Sequence, residues 1–188
     1  MKITRLLALS MIVGLAVSNT ADARPRPKGF GSGSKKFEAN KKFGLGLELG
    51  EPSGLTGKLF LSPSGALDFG VGYIYGHYYA GDGFHLYADY LWHPFVLTSA
   101  EPFELPFYIG VGGRFWDFDY GCNKFGDNCA FGGSAFGVRV PIGIAFDFNN
   151  VPLDIFIQLV PTLDFYRNYR NESLHFGVDF SVGVRFWF

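Results

Sequence analysis

Apolar residues alternate with small or polar residues along the last part of the chain, from Leu174 to Phe188. The apolar positions are bulky, and the positions between them hold His, Gly, Asp, Ser and Arg. A period of two residues predicts a β-strand with two unlike faces. Because this strand is longer than a typical globular strand and has one strongly apolar face, the pattern is typical of a strand that crosses a membrane.

The same alternation starts at Phe43 and continues to the C-terminus with few interruptions. The predicted strands are at about 43–50, 55–62, 66–76, 84–92, 107–115, 135–148, 153–165 and 174–188. Eight strands in simple succession favour an up-and-down antiparallel barrel without a free edge. The longest predicted connections are a proline-rich one at 93–104 and a polar one at about 117–133. Pro141 and Pro161 lie inside strands and predict a bulge or local break, since proline cannot donate to the ladder.

The alternation alone is compatible with two kinds of barrel. A soluble, calycin-like lipid carrier has its apolar side chains inside, whereas a membrane barrel has them outside. The polar positions here are mostly Gly, Ala, Ser and Thr with scattered charges, which suits a narrow interior better than a solvated surface. The predicted fold is therefore all-β, a closed eight-stranded antiparallel up-and-down transmembrane β-barrel.

Two segments precede the first strand. Lys2 and Arg5, the apolar run 6–17 and the small residues of 21–23 predict a secretory signal peptide over residues 1–23. Residues 24–42 carry seven basic residues and one acidic residue with few apolar ones, which predicts a disordered basic leader in the periplasm. An anionic periplasmic partner, attracted by this charge, is the alternative interpretation. The barrel domain is predicted over 43–188.

Several stretches carry a family resemblance, among them GLGLELGEPSGLTGK, ADYLWH, YIGVGGR and the aromatic C-terminus. On these the chain resembles the small eight-stranded outer-membrane proteins of Gram-negative bacteria, similar in plan to OmpX, OmpW and the OmpA transmembrane domain. The resemblance covers about residues 42–188. It implies a cell outer membrane location, contact with outer-membrane lipids, and a terminal Phe188 that resembles the signal read by the barrel-assembly machinery. It does not imply one activity, because the group has structural, adhesion-linked, channel and enzymatic members.

Charged residues at the predicted inward positions form the first candidate site. They are Glu48, Lys58, Asp68, Asp89, Arg114, Arg139, Asp179 and Arg185. Charges buried in a narrow interior must be paired, so the pattern predicts a salt-bridge network that closes the lumen. The alternative is a narrow cation-favouring pore, because with Asp147, Asp154 and Asp164 the acidic residues predicted for this face outnumber the basic ones seven to four. By strand position, five residues are expected in the middle to outer half of the lumen: Glu48, Lys58, Arg114, Arg139 and Asp179. Four are expected toward the periplasm: Asp68, Asp147, Asp154 and Arg185.

Cys122 and Cys129 lie in the polar connection GCNKFGDNC of an exported chain, which predicts a disulfide bond in an external loop. No histidine is nearby in the sequence and the spacing matches no usual zinc site, so no metal or cofactor is expected there. The basic residues of the barrel are too few and too dispersed for a nucleic-acid face.

A lipid A-modifying barrel enzyme is a further alternative. Some eight-stranded barrels remodel lipid A with histidine and serine near the outer rim, and the corresponding residue types here are His77, His85, His175, Glu172, Ser173 and Ser181. Spacing alone does not bring a nucleophile and a base together. The expected protein is a non-enzymatic, monomeric outer-membrane barrel with a structural or surface-interaction role.

Overall fold

The structure is a computed structural model that describes residues 35–77, 81–119, 133–167 and 172–188. Within these residues the protein is all-β, and no helix there has the length and apolar character needed to cross a membrane. The strands are β1 (Phe43–Gly50), β2 (Ser53–Phe60), β3 (Gly65–His77), β4 (Gly81–Ser99), β5 (Phe103–Asp119), β6 (Gly133–Arg139), β7 (Ile142–Phe148), β8 (Leu153–Arg167) and β9 (Glu172–Trp187). The predicted signal peptide and both cysteines lie outside the described residues.

All strand pairs are antiparallel, and they form one closed ring. Consecutive strands pair from β1 to β5, β8 pairs with β9, and β9 returns to pair with β1 from Gly44↔Trp187 to Gly50↔Ser181. We call the space inside the ring the bore. The end that carries Phe43 and Phe188 is the terminal end, and the opposite end, where β5 leads into β6, is the loop end. Closure gives each strand two neighbours, so the first and last strands do not leave a free sheet edge.

The strands β6 and β7 share one position in the ring, since both pair with β5 on one side and with β8 on the other. The sequence predicts this stretch as one strand, and the break at Val140 and Pro141 is the local interruption that Pro141 predicts. The prediction of a similar break at Pro161 is wrong, because β8 runs through it. The carbonyl of Pro161 accepts from Val140 N at 2.9 Å, so the nitrogen of Pro161, on the same side of the strand, faces the gap between β6 and β7.

The ring differs from the sequence prediction at the connection expected over 93–104. There β4 continues to Ser99 and β5 begins at Phe103, so the two strands form a long hairpin with register shifts after Trp92 and Val96. β4 therefore extends past the start of β3. Its edge is covered there by Lys35, whose carbonyl accepts from Val96 N at 2.8 Å.

The two faces of the ring are unlike in chemistry, as the alternation predicts. Large apolar side chains point outward and are exposed, including Phe176 at 71% and Leu49 at 66%. Charged and polar side chains point inward and are buried. The apolar rows therefore do not face the bore, which contradicts the arrangement of a soluble lipid carrier.

Candidate functional site

The bore is the candidate site, because the two-residue period turns polar side chains from every strand into it. All eight charged residues predicted for the lumen lie there, and each is at most 4% exposed. The structure resolves them into three arginine-centred clusters and two residues, Glu48 and Lys58, whose partners are not of opposite charge. Each cluster draws on strands that are distant in the sequence.

Arg185 on β9 forms the first cluster. Its Nη1 donates to Asp68 Oδ1 at 2.6 Å, and its Nε donates to Asp154 Oδ1 at 3.1 Å. The guanidinium also lies over the ring of Phe156, with Cζ 4.1 Å from the centroid. Two carboxylates and an aromatic face thus surround a fully buried cation, which offsets part of the cost of removing it from water.

Arg114 on β5 forms the second cluster, nearer the loop end. Its Nε donates to Asp164 Oδ1 at 2.8 Å, and its terminal nitrogens pair with Asp164 and Asp179. A further bond runs from Nη2 to Thr162 Oγ1 at 3.2 Å. Arg114 therefore joins β5 to β8 and β9, and its place in this half of the bore agrees with its expected position.

Arg139 and Asp89 form the third cluster. Arg139 Nε lies 3.0 Å from Asp89 Oδ2, an ion-pair distance without the angles of a hydrogen bond. The guanidinium stacks on Tyr87, with Cζ 3.9 Å from the ring centroid. The Tyr87 hydroxyl in turn donates to Glu48 Oε2 at 3.1 Å and lies 3.2 Å from Thr56 Oγ1. Glu48 is thus held by a hydroxyl rather than by a basic residue.

Lys58 is placed differently from the prediction, since it lies near the terminal end. Its Nζ is 2.9 Å from His93 Nε2 and 4.7 Å from the centroid of the Tyr108 ring. His93 Nδ1 is 3.1 Å from the carbonyl of Ser64, which can only accept, so Nδ1 carries the proton and Nε2 accepts from Lys58. His93 is not among the residues predicted for the lumen, although it continues the two-residue period of His85, Tyr87 and Asp89.

Residues 35–42, the N-terminal segment, also reach the bore, where the sequence predicts a solvated leader. Lys41 Nζ pairs with Asp147 and donates to the carbonyl of Phe148 at 2.9 Å. Phe37 is 3% exposed and stacks on His93, with ring centroids 5.0 Å apart. Phe37 and Lys41 are therefore packed against the ring, whereas Lys35, Lys36, Glu38 and Lys42 are exposed. The reason is that the segment's one phenylalanine and one of its lysines find buried partners that only the folded ring supplies.

Aromatic side chains occupy both ends of the bore. At the terminal end Phe60 contacts Trp187 with centroids 5.6 Å apart, beside Phe37 and His93. At the loop end a buried cluster contains Ile74, Trp116, Ala135 and Tyr166. Inward glycines make room for large side chains, and a Cβ on Gly70 would lie 2.4 Å from the Tyr87 ring. The predicted abundance of small inward residues thus reflects space for a few large ones.

The residues considered for catalysis are not brought together in the described contacts. Ser181 lies in the bore, where its hydroxyl accepts from Gln158 Nε2 at 2.9 Å. His85 is buried, and within the described residues neither of its ring nitrogens has a hydrogen-bond partner. His175 packs edge-on against Tyr166 near the loop end, with centroids 5.0 Å apart. The side chains of His77, Glu172 and Ser173, like Cys122 and Cys129, are outside the described part of the chain.

The described residues offer little for a metal ion, since none of their His, Cys, Asp and Glu side chains form a group of three or more suited to hold one. Four of the buried carboxylates instead form ion pairs with Arg114 or Arg185: Asp68, Asp154, Asp164 and Asp179. What the bore can do chemically is hold charge in fixed pairs.

Comparison with known proteins identifies a family model and a solved structure. The model of the family described as "Protein of unknown function (DUF3996)" matches residues 34–188. The N-terminal β-barrel domain of OprF from Pseudomonas aeruginosa is similar at 15% identity and a TM-score of 0.48, over 78% of this chain and 95% of that one. No curated protein matches the chain.

Proposed function

The chain belongs to the DUF3996 family of proteins of unknown function, and we propose that it is a monomeric outer-membrane β-barrel protein with a structural or surface-interaction role. The observation that carries this proposal is the inverted arrangement of the ring, in which apolar rows face outward and paired charges face inward. No catalytic role and no cofactor are part of the proposal.

The outward rows favour lipid over water as the surrounding medium. On β9 alone Phe176, Val178 and Phe180 are 71%, 56% and 51% exposed, and their neighbours on other strands are similar. A water-soluble monomer rarely exposes a continuous apolar surface of more than a few hundred Å². In hydrocarbon the same surface costs nothing, and a closed ring leaves no strand edge with unpaired N–H and C=O groups. The ring therefore meets the two main requirements of a membrane barrel.

The orientation of the barrel follows from its topology. Phe43, the first residue of β1, and Phe188, which follows β9, both lie at the terminal end. We place this end in the periplasm because an exported chain would enter the membrane from that side. The loop end then faces outside. It includes the longest connection, between Asp119 and Gly133, where the cysteine pair lies in the sequence. Surface interaction is assigned to this end.

The bore is proposed to be closed to ions. Each of the three buried arginines among the described residues forms an ion pair with a carboxylate on another strand: Arg114, Arg139 and Arg185. Aromatic side chains occupy both ends of the bore. Moving such a charge would leave its partner buried and unpaired, which costs several kcal/mol. These fixed pairs support a structural role for the network, as a rigid filling that ties distant strands together.

Membrane fractionation and conductance test the proposal together. We expect the protein in the outer-membrane fraction, with a folded form that migrates differently on a gel when it is not boiled. The purified barrel should then be silent in planar bilayers. A protein recovered in the soluble periplasmic fraction would end the membrane proposal, and steady single-channel currents would replace the closed bore with a pore.

A narrow cation-favouring pore is the second candidate. It is favoured by the excess of acidic groups among the described residues, where five buried basic side chains face eight buried acidic ones. The basic ones are Lys41, Lys58, Arg114, Arg139 and Arg185, and the acidic ones are Glu48, Asp68, Asp89, Glu104, Asp147, Asp154, Asp164 and Asp179. In the same bilayers this alternative predicts a reversal potential that favours cations.

A further inference from the structure

The N-terminal segment, residues 35–42, covers the terminal end of the bore without belonging to the ring. The ladder between β1 and β9 begins at Gly44, and Phe188 N donates to the carbonyl of Phe43 at 2.9 Å. The ring is thus closed by residues that follow the segment. The segment makes one isolated bridge, Lys35↔Val96, and no ladder of its own.

Side chains of the segment reach down to the polar interior. Phe37 stacks on His93 and lies 5.7 Å from the Phe60 ring, between centroids. On the inner side of Phe37, His93 accepts from Lys58, a charged residue of the bore that lies near this end. An aromatic side chain of the segment therefore separates the Lys58 and His93 pair from the space outside the ring.

Lys41 anchors the other end of the segment. Its ammonium pairs with Asp147 on β7 and donates to carbonyls of Phe148 and Leu153 at 2.9 and 3.4 Å. Lys41 is 8% exposed. A backbone bond from Ala39 N to the carbonyl of Pro63, at 2.8 Å, holds the middle. Apart from Lys42, whose carbonyl continues the β1–β2 pairing, the segment is held by two buried side chains and by single backbone bonds rather than by a continuous ladder. An element held in this way can open separately from the rest of a fold.

We propose that residues 35–42 form a detachable stopper that seals the terminal end of the bore by means of Phe37 and Lys41. Release of the stopper gives water and small ions access to Lys58, His93 and the charged groups beyond them while the ring stays closed. This inference rests on the proposed barrel, and it adds that the closure at this end is reversible and is supplied by the chain itself.

Cysteine labelling of the full chain in lipid vesicles tests the stopper. Cys122 and Cys129 are first replaced by serine, and Ala66→Cys is introduced as a reporter. Ala66 is 0% exposed and pairs in register with Phe60, on which Phe37 packs. The probe is a water-soluble cationic methanethiosulfonate, and the rate of modification is the readout.

Phe37→Ala and Lys41→Met should each raise the labelling rate at position 66 about tenfold, as expected for a modest loss of docking free energy. Lys42→Met is the matched control, because Lys42 is exposed and contacts the ring through its backbone carbonyl, which accepts from Phe60 N at 2.8 Å. It should leave the rate unchanged. A second reporter, Ala135→Cys at the loop end, should stay protected in all variants.

Equal labelling rates in the parent and in both variants, with native gel migration, would overturn the stopper. A reporter at position 66 that already reacts at the rate of an exposed thiol in the parent would overturn it too. If Lys41→Met does not fold, Phe37→Ala decides the question alone. Failure of the barrel proposal looks different, because the parent chain would then not insert into vesicles or show heat-modifiable migration.

Discussion

Arg185 and Asp68 are joined by a hydrogen-bonded ion pair of 2.6 Å across the bore, although 117 positions of sequence separate them. Arg185 lies on β9 and Asp68 on β3, two strands that are not neighbours in the ring. Asp154, on β8, completes the cluster from a third strand. This one guanidinium therefore ties together parts of the ring that the backbone ladder does not connect directly.

Removal of Arg185 should destabilise the barrel strongly. Arg185→Met leaves Asp68 and Asp154 buried without their cation, and we expect a loss of about 3–5 kcal/mol in the free energy of unfolding. Urea titration in lipid vesicles, followed by tryptophan fluorescence, measures it. The exposed Lys42→Met serves as control and should change the free energy by less than about 0.5 kcal/mol. A change of similar size in both variants would contradict the structural role of the cluster.

Gly137 should not tolerate a side chain. A Cβ at this position would lie 1.9 Å from Asp164 Oδ1 and 3.2 Å from Arg114 Cγ, so Gly137→Ala must displace the Arg114 cluster. We expect a loss of about 1–3 kcal/mol in the free energy of unfolding. Gly113 is the matched control on the neighbouring strand, because the nearest atom to its Cβ would be the carbonyl oxygen of Gly137 at 3.7 Å. Equal stability of the two alanine variants would refute the packing argument.

A charge placed on the outer face should cost most at mid-depth of the membrane. Phe180 lies near the middle of β9 and is 51% exposed, whereas Leu174 lies near the loop end and is 56% exposed. Phe180→Arg is expected to cost about 2–4 kcal/mol in vesicles, and Leu174→Arg about 0–1 kcal/mol. Reversible unfolding from vesicles measures both. Two similar and small costs would mean that this face is not in hydrocarbon.

Cys122 and Cys129 remain predicted partners in a disulfide bond, and they lie outside the described residues. In unreduced protein both thiols should resist maleimide labelling, and a digest should contain one cross-linked peptide pair. Reduction should lower the free energy of unfolding by about 2–3 kcal/mol in the chain-entropy model. Two freely labelled thiols would show that the loop is not tied in this way.

Two prolines show how far local patterns carry. Pro141 and Pro161 both remove a ladder donor from a predicted strand, so the sequence predicts a break at each. Only Pro141 interrupts a strand, and the gap it leaves is the place that Pro161 faces from β8. The single break between β6 and β7 therefore accommodates the missing N–H groups of both prolines. Which residue lies opposite which is a matter of register between strands, and this is set by the whole ring.

For the charged residues of the bore, too, the sequence predicted the direction of each side chain but not its partner. The two-residue period predicted that Glu48, Lys58 and Arg185 point inward, and they are buried as expected. It did not predict that Lys58 forms a hydrogen bond with His93 instead of an ion pair with an acidic residue. It also did not predict that Lys41, in the basic segment before β1, forms an ion pair with Asp147. Period sets the side of a strand, whereas pairing depends on the stagger of strands around the bore.

By itself the sequence determined the all-β class, most strand positions and the side of the sheet on which each residue lies, because alternation is a local property of an extended chain. The tertiary structure alone decided the register in which β1 closes on β9, the partners of each buried charge and the docking of Phe37 and Lys41 at the terminal end. The physical reason is distance along the chain. Contacts between residues far apart in sequence depend on how the strands are staggered and twisted together, and no single segment encodes that arrangement.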